Sequence, residues 1–351
     1  MCRSGAITKR RVTIHDIARM AEVSAGTVSR VVNSREGVGA STRERVLALI
    51  EEQGYQASFF AQNLAAQRAQ AIGLVFPLLA SELVIHPVFP ALLGAVGDTA
   101  GMAGFSLSLV TVPESGRNER VLAEVSRGRV DGVLLPDVRT GDDLVDQLAE
   151  RGFPTVVVGH RDERLPWVDC DHDQAVFELT SRLIAAGHER IAFLNGPLEL
   201  GACILRQEGY RRALAAADVP WTAEFELEGP FSPKHGFESL SDLLGSPLSS
   251  RPTAVVAASD VIAAGAYEAA RQHRLRIPQD LAVTGYDDQA LAAHLAPALT
   301  TVRMPIPDMG RVATQMLLRL IDGEEVRPPS LVLPTEIVPR ESSGSGGRWI
   351  F

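Results

Sequence analysis

The chain has 351 residues, 46% hydrophobic and 22% charged, with a formal net charge of −9. At roughly 150 residues per domain this allows two or three domains, and the acidic balance taken whole argues against a nucleic-acid partner. Cys2, Cys170 and Cys203 are too few for a disulfide framework and wrongly spaced for a zinc site, and Lys9 and Lys234 are the only lysines, which disfavours Schiff-base and P-loop chemistry. The basic N-terminus (Arg3, Lys9, Arg10, Arg11) is followed by no apolar stretch, and no run of about 18 apolar residues occurs anywhere. Neither a secretory signal nor a membrane span is expected, and a reducing, cytoplasmic setting fits.

The charge is unevenly divided. Residues 1–68 hold ten basic and six acidic residues, and the remainder holds 24 and 37. A short basic head on a long acidic body points to an N-terminal nucleic-acid module.

The head reads as three short helices. Thr13 with Asp16 makes a capping box, after which Ile14, Ile17, Ala18 and Ala21 recur at helical spacing. A break at Glu22-Val23-Ser24 precedes a second helix, with Ser24 as N-cap and Val28, Val31 and Val32 on its inner face. Ser41-x-x-Glu44 is expected to open a third, with Val46, Leu47 and Ile50 inward and Gly54 just past its end. Helix, tight turn and second helix make a helix-turn-helix. Burying the valines turns Ala25, Gly26, Ser29, Arg30 and Asn33 outward, where an arginine can hold guanine and small polar groups suit phosphates. A solvated helix face with one arginine is the alternative.

From Ala71 the pattern changes to short apolar runs alternating with helical stretches: AIGLVF, FSLSLVTV, VDGVLLP, PTVVVG, RIAFLNG, PTAVVAAS and DLAVTGYD. Such alternation predicts βαβ units and parallel sheets. IGLVFP (72–77) is echoed by IAFLNGP (191–197), and VDGVLLP (130–136) by PTAVVAAS (252–259), as two similar α/β halves flanking a cleft would require. The Ser/Gly stretch 342–347 reads as a flexible tail.

The segment TIHDIARMAEVSAGTVSRVVNSREGVGASTRERVLALIEEQGY (13–55) resembles, densely and collinearly, the DNA-binding head of the LacI/GalR family of bacterial transcriptional regulators. The resemblance implies that Ala25, Gly26 and Arg30 occupy base-reading positions, and Ser24, Thr27, Ser29 and Asn33 phosphate-contacting ones. With residues as small as Ala25 and Gly26 there, direct readout leans on Arg30. Residues 57–66 (ASFFAQNLAA) fall at the family's hinge helix, where Leu64 would wedge into the minor groove with Ala61 beside it. A core leucine of a small helix is the alternative for Leu64, and Ala57-Ser58 stand where many members have Pro-Asn.

The resemblance continues through VDGVLLP, AAGHERIAFLNGP, RQEGYRRAL, RIPQDLAVTGYDD and LTTVRMPIPDMG. It implies a small all-α helix-turn-helix head (1–56), a hinge helix and linker (57–70), an α/β periplasmic-binding-protein-like body of two Rossmann-like lobes (71–340) and a flexible tail (341–351). Crossover strands are expected near 159–162 and 287–303. By motif position, Arg206 would hold the effector, Asp287 would accept bonds from its hydroxyls and Phe231 would stack on it. Ser81, His86 and Phe89 fall in the loop and helix start that close the pocket, with His160, Asp171 and Ser259 as further contacts. The alternatives are a surface ion pair for Arg206, a turn residue for Asp287, core packing for Phe231 and structural roles for His86 and His160. Met304 stands where some members carry a glutamine, which suggests a ligand smaller or less polar than a disaccharide.

The function expected is a ligand-responsive regulator, a repressor, binding a near-palindromic operator in double-stranded DNA as a homodimer, with a sugar or sugar derivative between the lobes. No cofactor, metal, membrane partner or tetramerising helix is expected. A solute-binding protein of a transport system would share the lobes but has no use for the head. The enzyme reading finds no G-x-G-x-x-G after a strand, no Walker motif and no H-E-x-x-H.

Overall fold

The computed structural model describes residues 12–32, 36–54, 68–76, 88–111, 116–136 and 138–344. They fall into two compact units, 1–69 and 70–351. Asn33, Ala61, Leu64, Ser81 and His86 lie outside the described residues.

The first unit contains α1 (Ile14–Met20), α2 (Ala25–Val32) and α3 (Ala40–Glu52). Thr13 and Asp16 cap α1 reciprocally, each side chain accepting from the other's backbone amide. Ala21, Glu22 (φ 54) and Val23 make the turn, and the Ser24 hydroxyl then accepts from the Thr27 amide at 3.1 Å. Ile17, Ala21, Val28, Val31 and Val46 are at most 2% exposed and form the core on which the three helices close. Two expectations fail at α3. Its N-cap is Gly39, in extended conformation and without a side-chain bond, so Ser41 lies inside the helix. Leu47 is 48% exposed, because the buried line runs through Val46, Leu49 and Ile50 and places residue 47 about 100° away.

The second unit opens with β1 (Ala71–Phe76), α4 (Phe89–Met102), β2 (Ser106–Thr111), α5 (Arg117–Ser126), β3 (Gly132–Pro136), α6 (Asp143–Glu150), β4 (Thr155–Val158) and β5 (Trp167–Cys170). It continues with α7 (His172–Ala185), β6 (Ile191–Asn195), α8 (Gly201–Ala216), β7 (Glu226–Glu228), α9 (Pro233–Gly245), β8 (Ala254–Ala257), α10 (Asp260–Gln272), β9 (Ala282–Thr284), α11 (Ala290–His294) and β10 (Thr301–Arg303). The last elements are α12 (Ile306–Ile321), β11 (Ser330–Leu333) and β12 (Glu336–Val338). All pairings in the two larger sheets are parallel, in the orders β11-β5-β4-β3-β1-β2 and β7-β6-β8-β9. The run β2-β1-β3-β4 in one sheet corresponds to β7-β6-β8-β9 in the other, which accounts for the two sequence echoes. Strands such as AIGLVF and IAFLN are apolar on both faces because helices cover both faces of these sheets.

Crossovers differ from those expected in number and in place. α7 contributes Ala175, Val176 and Leu179 to the second-lobe core, so the first passage lies at 170–172, after β5. α12 returns Met309, Ala313 and Leu317 to the first-lobe core, which puts the second at 303–306. A third, at 333–336, joins β11 on the first sheet to β12, which pairs antiparallel with β10. The tail expectation is corrected at its start, 342–344, while 345–351 lie outside the described residues. Ser342 and Ser343 are buried: the Ser342 hydroxyl donates to Val283 O at 2.6 Å and accepts from the Thr300 amide at 2.8 Å, while Ser343 Oγ lies 2.8 Å from Thr300 Oγ1. Their hydroxyls satisfy buried polar groups, a use that Ser/Gly composition alone does not reveal.

Candidate functional site

In the head, Ser24, Gly26 and Arg30 are exposed and Ala25, Thr27 and Ser29 half-buried, on the side of α2 away from Val28 and Val31. The hydroxyls of Ser24 and Thr27 lie 2.9 Å apart at the start of the helix. α2 is therefore anchored by a hydrophobic stripe and a polar cap, with Arg30 the one long cationic side chain on its exposed face. A groove-reading helix needs this arrangement.

In the body, the candidate ligand residues gather at the carboxyl ends of β6, β8 and β9, where open α/β sheets bind ligands. Arg206 projects from α8 and is 4% exposed. Its guanidinium lies over the Tyr286 ring, 3.9 Å from the centroid, Nη1 donates to Ala258 O at 2.7 Å, and Nη2 is 3.8 Å from Met304 Sδ. Nε is buried with no hydrogen-bond partner among the described residues. Burial opposes its charge, yet Tyr286 and Asp287 hold its pKa above the ordinary arginine value. A permanently charged fork with an unmet donor is suited to a hydroxyl pair or a carboxylate.

Asp287 follows Tyr286 with φ 105; its amide donates to Val302 O at 2.8 Å and its carboxylate accepts from Gln289 Nε2 at 2.9 Å. This loop is fixed from beneath by Asp260, which is fully buried. The Asp260 carboxyl accepts from the Thr301 hydroxyl at 2.6 Å and from the Gln289 amide at 2.7 Å. Gly285 must be glycine here, since a Cβ would overlap Asp260 Oδ1. Phe231 is 38% exposed, and its ring covers Gly196 beside Cys203, which shares a face of α8 with Arg206.

The remaining described candidates are placed differently. Ser259 is 2% exposed and caps α10, accepting from the Ile262 amide at 3.1 Å. Phe89 starts α4 and packs edge-on against Phe76, 4.7 Å between centroids, within the first-lobe core. His160 abuts Gly201, the first residue of α8, and buries Nδ1 without a partner. It therefore stands at a contact between the lobes, as does the Thr140 amide, which donates to Glu199 O at 3.0 Å. Burial lowers the His160 pKa against the pull of Asp162 and Asp169. The Asp171 carboxyl is raised by burial and by its bond to Asp173. A cavity of about 440 Å³ opens on the first lobe near Arg117, Asn118, Arg139, Thr140 and Asp142, and includes neither Arg206 nor Asp287.

Sequence reasoning missed Tyr286, Asp260 and the Asp169–His172 pair. Tyr286 lies in the G-Y-D-D motif that marked Asp287, so a signal for it existed. Asp260 carries a pH prediction. Burial, then the charge of Asp287, pushes its carboxyl up to about 8 from 3.8. A folded-state value above the unfolded one means that this contribution to stability is complete below about pH 4 and lost as pH rises towards 8. Asp260→Asn keeps the shape without the ionisation. The urea midpoint of the wild type should fall between pH 5 and 8 by more than that of the variant; equal slopes would show that Asp260 does not titrate there.

Comparison with known proteins places both parts. Residues 13–58 match the description "Bacterial regulatory proteins, lacI family", and residues 180–343 match a periplasmic binding protein-like domain. The HTH-type transcriptional regulator CelR of Thermobifida fusca is 35% identical over 338 residues, covering 95% of this chain and 99% of the relative. The structure of a CelR–cellobiose complex superimposes with a TM-score of 0.73 at 35% identity, covering 95% of this chain and all of that one. The lac repressor dimer bound to operator and the anti-inducer ONPF gives 0.82 at 28% identity, covering 96% and 100%. With helix-turn-helix head, paired parallel sheets and full-length kinship in agreement, the chain belongs to the lacI family of bacterial regulatory proteins.

Proposed function

We propose that this chain is a sugar-responsive transcriptional repressor that binds a near-palindromic operator as a homodimer in the cytoplasm. The division of labour is a head (1–56) reading DNA, a hinge segment (57–70) and a two-lobed sensor (71–340). The observation that carries the sensor reading is Arg206, a buried guanidinium with one unmet donor at the strand ends. Leaving such a donor unpaired costs about 1–3 kcal/mol, and a ligand hydroxyl or carboxylate would recover it. Asp287 and Phe231 supply the acceptor and the aromatic face that a sugar needs, and the kinship to a regulator solved with cellobiose supports the same ligand class. Among the described residues no helix is long and apolar enough to cross a membrane.

Selection of duplexes from a random-sequence pool by the full-length chain, followed by titration with a panel of sugars including cellobiose, tests this reading. A near-palindromic sequence should be enriched, and an active sugar should change its affinity by about 5–150-fold. Enrichment of no sequence, or an affinity indifferent to every sugar, would refute the corresponding half.

A further inference from the structure

The passage from β5 to α7 carries a chain of buried polar contacts that the effector assignments leave unused. His172, the first residue of α7, is 1% exposed and its ring is enclosed by Tyr286, Asp169 and Cys170. Nδ1 lies 3.0 Å from the Tyr286 hydroxyl, and Nε2 lies 3.1 Å from Asp169 Oδ1. Asp169 Oδ2 accepts from Arg161 Nε at 3.2 Å. Beyond Tyr286 comes the guanidinium of Arg206, stacked on the ring at 3.9 Å. Five side chains thus run from a first-lobe loop (Arg161), through the last residues before the crossover (Asp169), to the ligand arginine of the second lobe.

The chain has a direction. Burial raises the Asp169 carboxyl, but His172 and Arg161 outweigh it and keep the group ionised, so its Oδ1 faces Nε2 across 3.1 Å as an electrostatic partner outside hydrogen-bond alignment. Burial keeps His172 neutral, which leaves Nδ1 as the acceptor for the Tyr286 O–H. Cys170 Sγ lies 3.6 Å from Nδ1 and 3.5 Å from Nε2, so the ring is held between Tyr286, Asp169 and Cys170 and cannot shift without disturbing all three. By donor type Asp169, Cys170 and His172 would also suit a divalent cation, their donor atoms lying within 4.8 Å of one another. Arg161 already neutralises Asp169, and burial pushes the Cys170 thiol up and keeps it protonated, so the surroundings favour hydrogen bonding.

We propose that His172 is a positioning residue that couples Arg206 to the first lobe, by tying Tyr286 to Asp169 and Arg161 across the crossover. It rests on the effector reading for what displaces Arg206 in the working protein. Displacement of Arg206 tilts the Tyr286 ring beneath it, and the hydroxyl carries that movement to His172, Asp169 and the Arg161 loop. Coupling of this kind is reciprocal, so a perturbation at either end must be felt at the other.

Amide hydrogen exchange of the sugar-free, full-length chain tests this. Arg161→Gln alters a side chain 36% exposed, and Tyr286→Phe keeps the stacked ring of a buried residue while removing the hydroxyl that meets His172 Nδ1. Arg161→Gln should speed exchange at least threefold in peptides covering second-lobe residues 285–289. Tyr286→Phe should do the same for first-lobe residues 159–171. His172→Asn, too short to bridge Asp169 and Tyr286, should show both increases, while β1 stays at the wild-type rate in all three. Changes confined to the lobe carrying the substitution, or spread evenly over the chain, overturn the proposal. Because no sugar is added, a sugar screen that finds nothing would refute the effector reading and leave this result standing.

Discussion

Arg30→Ala should abolish sequence-specific DNA binding while leaving weak, salt-sensitive binding in place. Arg30 is exposed on α2, whose opposite stripe of Val28 and Val31 is locked into the head core, so packing fixes the side of the helix from which it projects. A bidentate arginine–guanine contact is worth about 1–3 kcal/mol of discrimination, and a dimer makes it twice, so roughly 2–6 kcal/mol of specific affinity is at stake. The neighbouring Ala25 and Gly26 carry no group that could take over. The substitution lies opposite the core, so the urea midpoint should stay within about 0.5 kcal/mol of the wild type. Binding should be compared on selected and scrambled duplexes across a salt series. A uniform loss on both duplexes, with the salt slope reduced by about one per head, would make Arg30 a phosphate contact and remove it from base reading.

Arg206→Ala should eliminate the sugar response with the operator affinity of the sugar-free protein preserved. The guanidinium stacks on the Tyr286 face, and its loss would remove a charge-assisted contact worth about 1.5–3 kcal/mol, or roughly 10–150-fold in sugar affinity. Truncation also unpairs Ala258 O and leaves a void beside Met304, so stability falls as well. Arg206→Met separates the two effects by filling the volume without restoring the donors. Calorimetric titration with the sugar that moves the wild type off its operator should show both variants weakened alike. Wild-type sugar affinity in Arg206→Met would take Arg206 out of the binding site.

The head was almost wholly legible because its information is local. A capping box, a three-residue break and a valine stripe each lie within a few residues, and only Ser41 and Leu47 were misread. In the body, strands buried on both faces announced themselves as apolar runs, as in β1, β3, β6 and β8. The short or mixed strands did not: WVDC of β5, ELE of β7 and EIV of β12 have no periodicity to read. Pairing between β5 and β11 joins residues far apart in the chain, so the crossovers were misplaced for want of any local signal. Arg206, Phe231 and Asp287 came from motif position, whereas Asp169 and His172 needed the fold to carry Tyr286 to them.

That same pairing has a consequence for how the protein is made. The first sheet cannot be completed when its own lobe has been synthesised, because β11 follows β5 by about 160 residues. At roughly 5–20 residues per second, the edge of β5 waits on the order of 8–30 s for its neighbour. Throughout that interval an unpaired, parallel edge is open to other nascent chains. Neither lobe is a contiguous stretch of sequence, so a polypeptide ending at the second passage, 303–306, lacks α12 and β11 of the first lobe and the β12 partner of β10. Slowing translation after Cys170 should therefore lower soluble yield far more than slowing it within the head.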